Sequence, residues 1–145
     1  MDIIIATVVL LILGYVAGNA AEKRHYASIR RRESELHHIP LVNFSANQPL
    51  PEAREIEFFV GSTVVATDFF KSFLLGLRNL VGGRVIAYES LIDRARRESL
   101  LRLKEQAVAW GATEILNVRL ETSAVNNGGD GAASIEVIAY GTGIR

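Results

Sequence analysis

The sequence predicts a small two-layer α/β domain carried behind a single transmembrane helix. Three observations predict it. Residues from Ile3 to Ala21 include no charged side chain. Ile92, Ala95, Leu103, Ala107 and Trp110 recur at helical spacing. Leu116, Val118 and Leu120 alternate with Asn117, Arg119 and Glu121, the period of two expected of a strand with one buried face.

Bulk composition bounds the rest. The chain has 145 residues, enough for one domain and an appendage. Its 16 basic and 16 acidic residues balance, so the chain as a whole is no electrostatic partner for nucleic acid. It has no cysteine, which excludes disulfides, thiolate metal sites and cysteine nucleophiles. Hydrophobic residues make up 49% and the mean hydropathy is +0.20, much of it from the first segment.

That segment, residues 1–22, is read as a membrane anchor. As a helix the uncharged run spans roughly 28 Å, close to a hydrocarbon core of about 30 Å. The rival is a cleaved signal peptide. The only charged side chain before the run is Asp2, whereas a signal peptide starts with positive charge, although Gly18, Asn19 and Ala20 offer small residues near a cleavage point. Lys23, Arg24, Arg30, Arg31 and Arg32 follow the run and no Lys or Arg precedes it. This predicts that the N-terminus points out and the bulk of the chain is cytoplasmic. The same basic residues either set topology alone or also touch anionic lipid headgroups. Gly14 and Gly18 form a GxxxG pattern that lets two membrane helices approach closely.

Residues 23–55 are read as a basic juxtamembrane segment and a linker. Glu22 to His38 is polar and helix-compatible. Ile39 to Glu55 holds all three prolines, Pro40, Pro49 and Pro51, and is expected to be extended or irregular.

The domain is placed at residues 56–145. Ile56 to Ala66 reads as a strand, with Gly61 marking a bulge or a close backbone approach. Thr67 and Asp68 are N-cap candidates ahead of Phe69, Phe70, Phe73, Leu74, Leu77, Leu80 and Val81 at helical spacing, and Gly82-Gly83 should stop that helix. A second helix is expected to open at Ser90, with Asp93 completing a capping box, and to end at Gly111 as its C′ residue. Its opposite face carries Arg96, Arg97, Arg102, Lys104 and Glu105. Two strands come next, around Leu116–Glu121 and from Ala133 to Thr142, joined by the flexible run Asn126 to Gly131. The order β-α-α-β-β gives a small antiparallel-type sheet under one helical layer. Three strands leave sheet edges unpaired, a condition that small domains relieve by assembling.

The motifs Gly82-Gly83-Arg84, Tyr88-Glu89, Ala95-Arg96, Gly111-Ala112-Thr113 and Gly141-Thr142 occur in an order and spacing that resemble the YbjQ family, also called UPF0145, a set of small uncharacterised bacterial proteins. The resemblance covers roughly residues 60–145. It implies a β-α-β-β unit with a long helix on the sheet, assembly into pentameric rings, and a heavy-metal-binding label. The anchor and linker lie outside the shared core.

Candidate chemistry is sparse. The histidines are His25, His37 and His38, all in the linker, so no metal ligand is assigned. A metal in the domain would need carboxylates or backbone oxygens. Without a histidine in the domain no Ser–His–Asp set is available, and no catalytic residue or cofactor is assigned. Gly82, Gly83 and Arg84 with Tyr88 and Glu89 could cradle an anion. The competing reading is a helix-ending turn with an Arg84–Glu89 ion pair, within a subunit or across an interface. Asp93 with Glu89 is a carboxylate pair on a helix surface. The function expected is a membrane-anchored, ring-forming scaffold or binding module with lipid and itself as partners. The alternative is a small-ligand or metal-binding protein with sites between subunits.

Overall fold

The computed structural model describes residues 2–45, 47–66, 86–125 and 134–145. They fall into two compact units, Met1–Glu35 and Leu36–Arg145.

The first unit is a single helix, α1 (Asp2–Glu35). Its apolar residues occur on every side of the axis, so no polar stripe divides them, and the large side chains between Ile4 and Val16 are 48–70% exposed. By length and composition it is the one described helix able to cross a membrane. The helix runs unbroken through the basic residues after Glu22, as that segment's composition allows. Arg31 and Glu35 form an i,i+4 pair at 3.4 Å on its exposed end, worth a few tenths of a kcal/mol at most.

The second unit is the α/β domain. Its elements are β1 (Leu41–Val42), β2 (Ile56–Ala66), α2 (Ile86–Trp110), β3 (Glu114–Val125) and β4 (Ser134–Ile144). The sheet is four-stranded and mixed, in the order β1-β3-β4-β2. The hairpin strands β3 and β4 are antiparallel, β2 lies antiparallel to β4, and β1 runs parallel to β3. The stretch expected to be irregular therefore supplies a strand. Leu41 and Val42 pair with Ile115 and Leu116, and Pro40 uses its carbonyl, the backbone group proline keeps, to accept from Ile115 N–H at 3.0 Å. The compact unit that contains the sheet runs from Leu36 to Arg145. Ile39 is a buried member of the core, and Lys104 Nζ fixes this segment by donating to the carbonyls of Leu36 and Ile39 at 3.2 and 2.8 Å.

Helix α2 covers one face of the sheet. Ser90 does not open it, because the helix already begins at Ile86. Its buried stripe is Leu91, Ala95, Leu103 and Ala107, with Ile92 and Trp110 partly buried. Leu101, Glu98 and Ser99 are buried as well, which the expected stripe omits. Gly111 ends the helix as expected, in the left-handed region at φ +96°. Ala112 N–H reaches back to Ala107 O at 2.9 Å and Gly111 N–H to Val108 O at 2.9 Å, the two bonds of a Schellman cap.

Gly61 is a close approach and not a bulge. Its pairing with Ala139 continues an unbroken register from Ile56 to Ala66. A Cβ built there would lie 2.2 Å from Ser99 O and 2.5 Å from Leu103 N, so the backbone of α2 rests directly on the strand. The sheet does carry an irregularity in β3, where the register shifts between Leu116 and Arg119. Asn117 takes φ 51° there, a conformation Asn tolerates better than most residues, and its Oδ1 accepts from Phe44 N–H at 2.9 Å. The sequence alternation around Val118 is thus interrupted by an inserted residue. The helix expected after Thr67 and the loop from Asn126 to Gly131 lie outside the described residues.

Candidate functional site

Of the five residues singled out by sequence, only Glu89 has a described side chain. Gly82, Gly83 and Arg84 lie outside the described residues. Tyr88 belongs to the first turn of α2, with its side chain outside the description, and Glu89 is exposed one position on. Asp93 is paired with Arg97 at 3.7 Å on the helix surface. Among the described residues no group of three or more His, Asp or Glu is placed to hold a metal ion. His37 and His38 fall within the unit Leu36–Arg145. Both are exposed, with rings edge to face and 6.3 Å apart.

What the structure does bring together is an open surface on the side of the sheet away from α2. Strand periodicity sends Phe59, Gly61 and Thr63 toward the helix, where all three are buried. It sends Ile56, Phe58, Val60 and Val64 the other way, 68%, 59%, 42% and 58% exposed. Tyr140 and Ile138 on β4 continue this face half-buried, with the Phe58 and Tyr140 rings 6.0 Å apart. The rest of this face is polar. Ser62 Oγ donates to Glu136 Oε1 at 3.2 Å, and Arg119 and Glu121 stand exposed on β3. Contiguous exposed aromatic and β-branched residues of this kind mark interaction surfaces.

One side of the surface is a sheet edge. Glu55 and Arg145 exchange both backbone hydrogen bonds, each at 3.1 Å. In an antiparallel ladder such pairs alternate with pairs that point their N–H and C=O groups outward. The unbroken register therefore aims the backbone groups of Ile56, Phe58, Val60, Ser62 and Val64 away from β4, toward the open side. Two residues of α2 reach these groups. Arg102 Nη1 donates to Ser62 O at 2.7 Å and Gln106 Nε2 to Val60 O at 2.9 Å. Arg102 is held in turn by Glu98, whose buried carboxylate accepts from Nε at 3.1 Å. Sequence reading left Glu98 and Gln106 unremarked and placed Arg102 on a solvated face. The signal was their spacing of four, which puts them in one row along a helix.

At one end of the domain Arg145 forms a latch. Its guanidinium bonds Glu55 Oε2 through Nε at 3.0 Å and through Nη2, donates from Nη1 to Trp110 O at 2.6 Å and stacks 4.2 Å from the Trp110 ring centre. Trp110 also meets Phe59 edge-on at 5.8 Å. The latch ties the end of α2 to both strands and reads as structural.

Comparison with known proteins finds relatives of this chain. A UPF0145 protein of Clostridium novyi is 37% identical over 94 residues, 65% of this chain and 86% of that protein. One from the archaeon Natronomonas pharaonis is 44% identical over 85 residues, 59% and 77% of the two chains. One from Archaeoglobus fulgidus is 36% identical over 106 residues, 72% and 94%. The family thus reaches beyond bacteria and does not make this chain a bacterial one. A crystal structure of a protein of unknown function from Pediococcus pentosaceus aligns with a TM-score of 0.41 at 19% identity, covering 73% of this chain and 95% of that one. A family model described as "Putative heavy-metal-binding" matches residues 49–145, a range that contains β2, α2, β3, β4 and every motif that carries the resemblance: the chain belongs to the YbjQ family.

Proposed function

We infer that this protein is a membrane-anchored scaffold or binding module that works as a closed homo-oligomer, with its domain in the cytoplasm. The observation that supports this best is the open sheet face at Ile56, Phe58, Val60 and Val64, too apolar to stay in water without cost. A second copy is the occupant always available, because anchoring concentrates copies in one plane. Cyclic symmetry keeps every anchor on one side of the assembly, as a single membrane demands, whereas dihedral symmetry does not. The expected number of subunits, five, is taken from the family resemblance.

The test is the mass of the full chain in mild detergent by light scattering. A defined oligomer that falls apart in Phe58→Asp supports the reading, and a monomer at micromolar concentration overturns it. Orientation is tested separately by a reporter fused after Arg145. The basic residues from Lys23 to Arg32 call for activity on the cytoplasmic side, and activity confined to the outside would refute it.

A second reading rests on the family description and puts metal or small-ligand sites between subunits. Donors there would be carboxylates, backbone oxygens or the exposed pair His37-His38. Elemental analysis of the assembled protein distinguishes the two, since a metal-binding role requires a stoichiometric ion per interface.

A further inference from the structure

We propose that Glu98, Arg102 and Gln106 form an edge guard that keeps β2 from adding a strand of a second copy of this chain. The guard concerns which contact between copies is excluded, and it stands whether or not the copies form a ring.

The need for a guard comes from β2 itself. It is eleven residues long, pairs with β4 without a register shift, and lies at the edge of the sheet. Its sequence, Ile56-Glu57-Phe58-Phe59-Val60-Gly61-Ser62-Thr63-Val64-Val65-Ala66, has one charge and no proline. A long, flat, apolar edge is a template for strand addition, and proteins blunt such edges with bulges, prolines, inward charges or a cover. The opposite edge is managed in that way. Leu41 and Val42 cover β3 at Ile115 and Leu116, and the irregularity at Asn117 bends the remainder of that strand. Among the described residues β2 has neither device.

Its protection comes from above. The outward carbonyls of Val60 and Ser62, at the centre of the strand, are the acceptors an added strand would use, and they already accept from Gln106 and Arg102. The three guard residues stand at i, i+4 and i+8 along α2, so one row on the helix lies beside the edge. Gly61 makes this possible, because the helix backbone sits directly on the strand there and brings the side chains of Arg102 and Gln106 within reach of its carbonyls. Glu98 supplies rigidity, being buried and bonded to Arg102. An incoming strand must displace both donors before it can pair with the centre of β2. Copies are therefore steered to meet through the open face instead of the backbone edge.

The test uses the full chain in detergent micelles and compares wild type with Gln106→Ala, with Arg102→Ala/Gln106→Ala, and with the double variant carrying Val60→Pro in addition. Proline at Val60 removes an outward N–H and leaves the bonds to β4 intact, the edge position at which proline is tolerated. The readout is sedimentable, thioflavin-positive protein. The double variant is expected to show a rise of roughly tenfold or more, as two surface hydrogen bonds are lost, Gln106→Ala a smaller rise, and the proline variant a return to the wild-type level. Arg102→Ala also strips the buried Glu98 of its cation and could unfold the domain, so Gln106→Ala with and without Val60→Pro repeats the comparison with the ion pair kept. No rise in either background overturns the guard. A rise that Val60→Pro fails to suppress also overturns it, because the association then comes from unfolding and not from the edge.

Discussion

In α1 the large side chains from Ile4 to Val16 stand 48–70% exposed, while in α2 Leu91, Ala95, Leu103 and Ala107 are buried against the sheet. Both helices are rich in aliphatic residues and differ in their arrangement. Between Ile4 and Val16 α1 carries no charged residue on any side, which suits a helix segment whose surroundings are themselves apolar. α2 confines its apolar residues to a stripe and turns Arg96 and Arg102 to solvent. The domain is a fold for water, held by burial on one side of a sheet. The helix before it has the composition of a fold for lipid. Substitutions of one kind should therefore have unequal effects in the two helices.

The largest effect is expected where α2 meets β2. Gly61→Val puts a branched side chain where even a single Cβ would lie 2.2 Å from Ser99 O. The obstacle is helix backbone and cannot rotate away, so α2 must lift off the sheet. A loss of about 3 kcal/mol or more is expected, visible as a fall in melting temperature of roughly 10 °C or more. A Gly61→Val domain that melts like wild type would show that α2 does not rest on this strand.

A matched pair ranks next in size. Leu103 is fully buried in the core cluster with Phe59, Ala107, Ile115 and Ala139, so Leu103→Ala should cost about 2–5 kcal/mol in transfer and cavity terms. Leu10→Ala, at a position 69% exposed in α1, should leave thermal unfolding of the domain unchanged and only weaken partition of the helix into lipid. Equal shifts at both positions would erase the contrast.

The contrast between the helices was legible in the sequence because it is one of period and charge. The uncharged run at Ile3 to Ala21 needs only composition, and the stripe of α2 and the alternation in β3 repeat often enough to reveal themselves. The cap at Gly111 was legible too, since few residues other than glycine accept that conformation. β1 was not legible. Two residues carry no period, and Leu41-Val42 sits among prolines that argue for irregular chain; only the pairing to β3 makes it a strand. The start of α2 was missed because Ser90 and Asp93 imitate a capping box within a helix that begins at Ile86. The guard at Glu98, Arg102 and Gln106 depends on which strand ends up at the edge, a fact of topology that no local pattern carries. No catalytic set was expected from the sequence; of the tentative anion site, only Glu89 has a side chain among the described residues.

A smaller effect of opposite sign is expected on the helix-facing side of β2. The hydroxyl of Thr63 is buried with no hydrogen-bond partner among the described residues. An unsatisfied buried hydroxyl costs free energy that a methyl group of the same shape does not. Thr63→Val should raise stability by about 1 kcal/mol, measured by denaturant midpoint at constant m-value. A loss on this substitution would mean that the hydroxyl finds a partner in solution.

The smallest effect is expected at Gly14 and Gly18, and it returns to the comparison from the other side. At Gly61 a Cβ has no room, whereas at Gly14 and Gly18 it meets nothing within 4 Å. Larger residues there cost nothing inside one copy and restore helix propensity that glycine lacks. Any penalty must therefore come from another copy, since a GxxxG pair matters only where two helices touch along it. The proposed assembly is driven by the domain's open sheet face, so Gly14→Leu/Gly18→Leu should leave both the melting temperature of the domain and the oligomer mass in detergent unchanged. A fall to monomer would move the determinant of assembly from the sheet to α1 and leave the open face at Phe58 and Val60 for a partner other than a second copy.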